Sequence, residues 1–368
     1  MLTKQPVMNR ILLPIAFLYQ GLLECRHKLY DWHILPSKKY DVPVICVGNL
    51  ALGGTGKTPH IEYLIRLLSD PYSVCVVSRG YGRKTKGFQL VTSSSSADTV
   101  GDEPLQLFSK FKNLQVAVDE NRCEAIELMN SQEMPPQLFL LDDAFQHRRI
   151  KAGLNLLLTS YGKPYCEDHL VPAGTLRDVR SASKRADIVI VTQCPENLFG
   201  NPDEINDEIS RLRQRLHLED RQQLFLSSVQ YEALKPVTHS AKALLHSNGN
   251  ELDPGTACLC FTGIAHPEAL HEHLAHLLPL MKSMRFADHH RFRDKDVKSI
   301  LENYKNMDAE HRILVTTEKD LARLINSPYF CQFESVPLFV APISIKISEE
   351  EKFNNEILSY VRKNAHYS

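Results

Sequence analysis

The stretch GNLALGGTGKTPHIEYLIRLL, residues 48–68, places a glycine-rich loop between an apolar segment and an amphipathic helical pattern. Its Gly56, Lys57 and Thr58 end the pattern G-x-x-x-x-G-K-[ST], in which backbone N–H groups cradle phosphates, the lysine reaches the β and γ oxygens and the hydroxyl binds Mg²⁺. Ala51 stands where that pattern has its first glycine. Because anions bind at helix N-termini, we predict that the loop binds a nucleotide; the alternative is a glycine-rich turn with an incidental lysine. The predicted nucleotide-binding residues of the loop are Ala51, Leu52, Gly53, Gly54, Thr55, Gly56, Lys57 and Thr58.

The rest of the chain alternates apolar runs with helical or polar stretches. Strands that alternate with helices form a mostly parallel sheet with helices on both faces. The predicted fold is therefore α/β and P-loop NTPase-like, with a second, smaller α/β domain and an N-terminal membrane-interface helix. The predicted strands are 42–46, 73–78, 115–118, 137–141, 154–159, 187–192, 257–262, 312–316 and 337–341. The predicted divisions are an N-terminal amphipathic, membrane-associated segment at 1–40, a P-loop core domain at 41–220, a second α/β domain at 221–350, and a C-terminal helix and tail at 351–368.

The overall composition is that of a globular protein. Of the 368 residues, 43% are hydrophobic and 24% are charged, which excludes a disordered chain. The net charge of −1 gives no global sign of a nucleic-acid or membrane partner. The nine cysteines show no C-x-x-C spacing, a usage typical of a reducing compartment.

The N-terminal region has a composition of its own. RILLPIAFLYQGLL, residues 10–23, is shorter than the ~20 apolar residues that span a bilayer. Residues 1–40 carry six Lys or Arg against two acids, together with Tyr19, Tyr30 and Trp32. An apolar helix with basic flanks and aromatic anchors is typical of a segment lying in the membrane interface. The alternative is a helix packed on its own domain.

Two adjacent carboxylates end the apolar run in LFLLDDAFQHRR, residues 138–149. An acid at the end of a parallel strand, next to a phosphate loop, can serve a bound Mg²⁺. The candidate metal ligands are Thr58, Asp142 and Asp143. We predict that one acid of the pair serves the metal and that the other orients the acceptor. The alternative is an acidic surface turn.

A P-loop GTPase, either a switch or a metallochaperone, is the main alternative function. A switch would need D-x-x-G after that strand, but Phe145 and Gln146 follow the acids. The guanine-reading pattern [NT]-K-x-D is also absent, because TTEKD, residues 316–320, has glutamate before lysine. The pattern therefore favours a kinase, and a nucleotide-binding membrane scaffold without catalysis is a further alternative.

Three more stretches carry charges suited to a phosphorylated acceptor. SRGYGRKTKG, residues 78–87, has four cations and no acid, and arginine forks hold phosphate oxygens in two-point contact. GDEP, residues 101–104, places Asp102 at a predicted loop-to-helix junction. FADHHRF, residues 286–292, groups an aspartate with two histidines, a combination that can take a proton from a hydroxyl.

With these motifs in this order, the chain resembles the tetraacyldisaccharide 4′-kinases, which phosphorylate a lipid A precursor. The resemblance covers about residues 1–325, and the family is similar to this chain in lacking the first glycine of the loop. The motifs that carry the resemblance are VGNLALGGTGKTP (47–59), SRGYGRK (78–84), GDEP (101–104), DDAFQHRR (142–149), PAGTLRD (172–178), FTGIAHP (261–267), DHH (288–290) and TTEKD (316–320).

The resemblance implies that the γ-phosphoryl group of ATP is transferred, with Mg²⁺, to the 4′-hydroxyl of a tetraacylated glucosamine disaccharide 1-phosphate. The implied place is the cytoplasmic face of the inner membrane. The implied partners are this lipid and an anionic membrane surface, with no nucleic acid and no stable protein partner. The implied roles are proton acceptor for Asp102, assisted by His289 or His290; further catalytic residues Lys57, Asp142 and Asp143; nucleotide contacts from Gln146 and His147; and substrate contacts from Arg79, Arg83, Arg177 and Asp178.

Overall fold

The structure is a computed structural model that describes residues 10–247, 252–253, 255–288, 290–325 and 327–365. Strands and helices alternate along most of the chain, as predicted. The strands are β1 (Val44–Asn49), β2 (Val74–Ser78), β3 (Gln89–Leu90), β4 (Gln115–Val118), β5 (Leu138–Asp142), β6 (Leu154–Ser160), β7 (Ile188–Thr192), β8 (Gln223–Tyr231), β9 (Lys235–Pro236), β10 (Ala257–Thr262), β11 (Met281–Arg285), β12 (Arg312–Thr317), β13 (Leu338–Ala341) and β14 (Ile343–Ile347). The α-helices are α1 (Leu13–Asp31), α2 (Lys57–Leu68), α3 (Ala97–Val100), α4 (Asp102–Lys110), α5 (Arg122–Asn130), α6 (Pro202–Arg215), α7 (His239–Ser247), α8 (Glu268–Leu277), α9 (Asp294–Lys305), α10 (Glu318–Ile325) and α11 (Glu350–Asn364).

A nine-stranded sheet forms the first domain, in the order β14-β8-β7-β6-β1-β5-β2-β4-β3. Its inner strands are parallel, while the edge strands β3 and β14 pair antiparallel with β4 and β8. Every residue of β1, β2, β5 and β7 is buried. Their continuous apolar character follows, because a parallel sheet that is covered on both faces has no solvent-facing side.

Helices cover both faces of this sheet, as predicted. On one face α1 and α5 pack through Ala16 and Ile126. On the other face α2 and α11 pack through Ile61 and Phe353. The two apolar layers hold the sheet rigidly, so the ends of its strands have fixed positions relative to one another.

The carboxyl ends of β1, β5 and β2 meet at one edge of the first sheet. Val47 lies opposite Asp142, and β2 pairs with the other side of β5. A Cβ on Gly48 would lie 2.7 Å from the Cβ of Phe145, so only glycine lets β1 pass so close to the segment after β5. Ligands of α/β sheets bind outside these carboxyl ends.

The second domain contains a five-stranded sheet in the order β11-β10-β12-β13-β9, parallel except for β9. Helices α9 and α10 pack on one face through Val297 and Leu324, and α7 and α8 pack on the other through Ala241 and Leu270. This domain is again α/β, as predicted.

The second domain is inserted between two neighbouring strands of the first sheet. The chain leaves after β8 and returns at β14, where Ile343 lies opposite Tyr231. The range predicted for the second domain, 221–350, therefore includes two strands of the first sheet, β8 and β14. The C-terminal helix α11, predicted as a separate division, packs on the first domain. The pairing of β8 with β14 joins distant parts of the chain, so no local pattern indicated it.

Helix α1 packs one face on the first domain and exposes the other. Ala16, His27 and Tyr30 are its buried residues. Residues 1–9 of the predicted membrane-associated segment lie outside the described residues. Among the helices that the structure describes, none combines the length and the hydropathy needed to span a bilayer. The exposed side of α1 and the segments that flank the helix carry large apolar side chains. These are Ile11, Ile15, Phe17, Leu18, Leu22, Trp32 and Ile34.

Candidate active site

The glycine-rich loop turns directly into α2 at Gly56. Gly56 has a φ of 76°, a left-handed conformation that glycine adopts without strain. Its carbonyl accepts a hydrogen bond from Nδ1 of His60 at 2.7 Å, and Nε2 of the same ring lies 3.0 Å from the Ser227 hydroxyl. Burial lowers the pKa of His60 to about 4, so the ring is neutral and Nδ1 carries the proton. His60 therefore ties the end of the loop to β8.

The front of the loop is held by the segment before Arg177. Ala51 forms a β-bridge with Leu176, and the Leu52 N–H donates to the Thr175 carbonyl at 2.7 Å. Within the loop Thr55 is buried, whereas Gly53, Gly54 and Leu52 are exposed. The loop is thus fixed at both ends, with an open middle.

Lys57 lies in a network of polar side chains next to the loop. Its Nζ is 3.4 Å from Asn49 Oδ1 and 3.8 Å from Asp143 Oδ1. Arg177 donates from Nη2 to Asn49 Oδ1 at 2.5 Å, and both of its Nη atoms hold the Asp143 carboxylate. The Asn49 amide nitrogen donates to the Thr55 hydroxyl at 2.8 Å. Two cations therefore share one carboxylate and one amide, and the excess of positive charge suits a phosphate.

The two adjacent carboxylates differ in their electrostatic surroundings. Burial, together with the negative charges of Glu103 and Asp143, raises the pKa of Asp142 to about 7, although the Ser78 hydroxyl donates to it at 3.2 Å. Burial also raises the pKa of Asp143, but the hydrogen bonds and charges of its two cations outweigh this, and its pKa lies below the usual range. One acid of the pair is thus matched by cations, and the other is surrounded by negative charge.

Gln146 and His147 lie just beyond these acids. The Gln146 amide nitrogen donates to the Asn49 carbonyl at 2.8 Å. Burial, followed by the charge of Arg122, lowers the pKa of His147 to about 4. Nε2 of His147 and Nε of the buried Arg122 have no hydrogen-bond partner among the described residues. Since buried polar atoms are rarely unpaired in folded proteins, these two atoms are candidates for contact with a ligand.

Asp102 and Glu103 open helix α4. Oδ2 of Asp102 accepts a hydrogen bond from Nε of Arg323 at 2.7 Å, and Arg323 lies on α10 of the second domain. Glu103 pairs with Lys319 of the same helix at 3.3 Å. Both acids therefore lie where the two domains meet, and Glu103 also acts electrostatically on Asp142.

The predicted aspartate and histidine group lies on the second domain. His289 is outside the described residues. Nε2 of His290 lies 3.0 Å from Oδ2 of Asp296, and its ring stacks on Phe286. The structure thus pairs the His290 imidazole with Asp296 rather than with Asp102, because the first turn of α9 presents a carboxylate beside it.

The loop after β2 separates its two arginines. Arg79 is exposed, and its charge acts on Arg122 and His147. The Arg83 side chain is only 3% exposed, and its Nη2 pairs with Glu120 at 2.7 Å. The Arg83 guanidinium is therefore buried beside Glu120, and its contact with the substrate stays a prediction. Arg79 has the accessibility that such a contact requires.

The neighbours Arg177 and Asp178 also separate. Asp178 is fully buried and accepts hydrogen bonds from Nε2 of His27 at 2.6 Å and from Arg185 at 3.3 Å. The Asp178 carboxylate thus anchors α1 to the first domain, and its place in the substrate cleft stays a prediction. Arg177 faces Asp143 instead, at the edge of the site.

Four residues of the site were missed in reading the sequence. Two of them could have been found from the sequence. Asn49 is a polar residue at the end of an apolar strand, and Glu103 is the second acid of GDEP. Arg122 and Arg323 have no such signal, since their importance arises only from burial and from contact between distant segments. The missed residues are Asn49, Glu103, Arg122 and Arg323.

This chain is similar to known proteins over nearly its whole length. The family model described as tetraacyldisaccharide-1-P 4′-kinase matches residues 8–362. A tetraacyldisaccharide 4′-kinase of Bacteroides thetaiotaomicron is 44% identical over 98% of this chain and 95% of its own length. That of Flavobacterium johnsoniae is 41% identical over 97% and 98%. A crystal structure of LpxK from Aquifex aeolicus in complex with ATP matches with a TM-score of 0.70 at 27% identity, over 96% of this chain and 98% of that one. The chain belongs to the tetraacyldisaccharide-1-P 4′-kinase family.

Proposed function

We propose that this chain transfers the γ-phosphoryl group of ATP to the 4′-hydroxyl of a tetraacylated glucosamine disaccharide 1-phosphate, a step of lipid A synthesis. The observation that carries the proposal is the network of Lys57, Asn49, Asp143 and Arg177 at the start of α2. It places two cations beside a phosphate loop in a chain of this family. The absence of the switch and guanine patterns, noted in the sequence, favours this reaction over a GTPase.

Phosphoryl transfer asks the protein mainly for positioning and for neutralisation of charge. The loop amides and Lys57 would hold the β and γ phosphates of ATP. Arg177, oriented by Asp143 and Asn49, would add a second positive charge. Gln146 and His147 would contact the nucleotide from the segment after β5.

The residues present fit a magnesium ion that arrives with the nucleotide. Among the described residues, no group of three or more His, Cys, Asp or Glu could hold a metal by itself, but Mg²⁺ usually takes one or two carboxylates together with phosphate oxygens. Burial and then the negative charges of Glu103 and Asp143 raise the pKa of Asp142, and a cation beside it would offset that negative charge. Thr58, Asp142 and Asp143 would hold the ion, which supplies charge neutralisation at the phosphates.

Asp102 would accept the proton of the 4′-hydroxyl as that oxygen attacks phosphorus. It lies at the head of α4, on the domain that carries the loop. One histidine of DHH, His289 or His290, would assist. His290 lies on the second domain, where Asp296 orients its ring. The exposed Arg79 would hold the phosphate of the acceptor.

The membrane surface would be reached through α1. Phe17, Leu18 and Leu22 are 66%, 70% and 64% exposed, and the same segment carries an excess of basic residues. Such a helix can insert its apolar side chains among lipids while its cations meet anionic headgroups. The proposed location is the cytoplasmic face of the inner membrane, with the enzyme peripheral to the bilayer.

Incubation with ATP labelled at the γ-phosphate and a lipid A disaccharide 1-phosphate in detergent micelles tests the proposal. We expect label on the 4′ oxygen of the sugar, dependent on divalent metal, and labelling slower by about 10³ with the Lys57→Ala variant. A matched reaction with GTP is expected to be much slower. A nucleotide-binding scaffold would instead yield no labelled lipid, and a GTPase would prefer GTP.

A further inference from the structure

We propose that Arg323 is a positioning residue for phosphoryl transfer: it fixes the Asp102 carboxylate from the second domain and so makes turnover depend on the contact between the domains. The inference rests on the proposed function, in which Asp102 accepts the proton of the acceptor hydroxyl. It assigns a task to a cation outside the phosphate loop and outside the sheet that carries it.

Among the described residues, the Arg323 guanidinium donates to at least three acceptors. Its Nε donates to Oδ2 of Asp102 at 2.7 Å, while Nη1 donates to the Gly263 carbonyl and to Oδ1 of Asp320, each at 3.1 Å. Asp320 is fully buried and accepts in turn from the Gly263 N–H at 2.9 Å and the Thr317 hydroxyl at 2.7 Å. The contacts within the second domain therefore hold the Arg323 guanidinium in one orientation. An arginine held in this way can orient the Asp102 carboxylate.

Exposure differs between the two partners in a way that suits this role. The Arg323 side chain is 3% exposed and that of Asp102 is 23% exposed. The Arg323 guanidinium is thus almost wholly enclosed by protein, whereas part of the Asp102 side chain is accessible to a substrate hydroxyl. A charge-assisted hydrogen bond in a poorly solvated place is stronger than an exposed one, so it can select one orientation of Asp102.

The surrounding interface indicates that the contact belongs to a larger arrangement. Helices α4 and α10 are joined by further ion pairs, and one of their lysines also reaches the helix that follows the phosphate loop. Helix α10 therefore pairs with the helix that carries the proposed proton acceptor and is linked, through Lys110, to the helix after the phosphate loop. These ion pairs are Glu103–Lys319 at 3.3 Å, Lys110–Glu318 at 2.6 Å and Lys110–Glu62 at 2.7 Å.

The same arginine also adjoins the histidine segment. A Cβ added to Gly263 would lie 3.1 Å from the Ala287 carbonyl oxygen and 3.1 Å from the His290 Cβ. The carbonyl that Arg323 binds is thus on a residue packed against that segment. Arg323 links the proposed proton acceptor on one domain to the histidine segment on the other.

Steady-state kinetics of Arg323→Met and Arg323→Lys test the proposal. We expect Arg323→Met to lower kcat by about 100-fold with KM for ATP changed less than about twofold, because misplacement of a reacting group affects the chemical step. Arg323→Lys should recover part of the loss, since an ammonium can pair with Asp102 but cannot reach three acceptors in a planar fork. The matched control is Arg285→Met, which removes an exposed arginine and its ion pair from the same domain and should leave kcat unchanged.

A double-mutant cycle separates positioning from support of the fold. If Arg323 acts through Asp102, adding Arg323→Met to Asp102→Asn should slow the enzyme no further, because interacting residues are not additive. Full additivity, or a normal or increased kcat for Arg323→Met, would overturn the proposal. So would a loss in which KM for ATP and thermal stability change as much as kcat. If Arg323→Met does not fold, Arg323→Lys takes its place. Its kcat, and the double-mutant cycle of Arg323→Lys with Asp102→Asn, then test the proposal by the same criteria. A fully active Asp102→Asn would instead refute the role of Asp102 in the proposed function, which is a distinguishable result.

Discussion

At the carboxyl edge of the first sheet, charged side chains are buried against one another, whereas along α1 large apolar side chains face solvent. Asp142 is 4% exposed and carries a pKa of about 7, while Leu18 is 70% exposed. Each arrangement costs stability, because a buried charge loses hydration and an exposed apolar surface orders water. A chain departs from the ordinary burial pattern where function requires it. The comparison thus separates the region proposed to perform the chemistry from the region proposed to contact the membrane surface.

The largest expected effect is in the chemical region. Lys57→Ala should lower kcat by about 10³, because a preorganised charge contact to the transferred phosphate is lost. The loss should be the same with substrate in micelles and in vesicles, which sharpens the comparison with α1. The control is Lys184→Ala, which removes an exposed lysine of the same domain. Near-normal labelling of the lipid by Lys57→Ala would contradict the assignment.

A somewhat smaller effect is expected from Arg177→Ala. This change removes the cation that holds Asp143 and Asn49, and we expect kcat to fall by about 10², the lower end for loss of one electrostatic contact. Because burial then acts on Asp143 without its strongest partner, the pH dependence of kcat should also shift toward higher pH. Measurement of kcat between pH 5 and 9 checks both points. A variant with an unchanged profile and full turnover would show that Arg177 is only structural.

The surface region should behave in the opposite way. Leu18→Asp combined with Leu22→Asp should lower activity on substrate in anionic vesicles by about tenfold, through weaker insertion of the helix. Activity in detergent micelles should change less than about twofold, because these exposed side chains are not part of the site. Leu128→Asp, at an exposed leucine of α5, is the matched control. If the double variant lost activity equally in micelles and in vesicles, the exposed side of α1 would not be acting through the membrane surface.

The smallest effect concerns stability and pH. The pKa of Asp142 is raised to about 7 in the folded protein, so the folded state binds more protons than the unfolded state between about pH 4 and 7. Its contribution to stability is therefore lost as the pH rises through this range. Asp142→Asn should raise Tm relative to the parent at pH 8 by about 2 °C, and by less at pH 5. Thermal melts at the two pH values measure this, and an equal difference at both would mean that the pKa is not raised.

Much of the first domain could be predicted from the sequence because its signals are local. The buried strands appear as continuous apolar runs, and the loop from Ala51 to Thr58 has a pattern dictated by its backbone chemistry. The acids Asp142 and Asp143 follow a recognisable strand. The strands β8 and β14 were not predicted. They pair with each other although the whole second domain lies between them in the sequence.

The candidate site was only partly predictable, for physical reasons. Arg177 and Asp178 are neighbours, yet one faces Asp143 and the other faces His27, and a sequence motif does not reveal which side chain turns inward. The buried Arg83 side chain pairs with Glu120, which lies 37 residues further along the chain. Arg323 acquires its partner from a helix of the other domain, which only the assembled fold brings near.

The central claim is that the loop from Gly53 to Thr58 holds the triphosphate of ATP, with its terminal group beside Lys57 and Asp142. A crystal structure of this chain with a non-hydrolysable ATP analogue and Mg²⁺ tests this most directly. We expect the β and γ phosphates against the loop amides and the Lys57 ammonium, with the metal near Thr58 and Asp142. An analogue bound elsewhere, with this loop empty, would contradict the account.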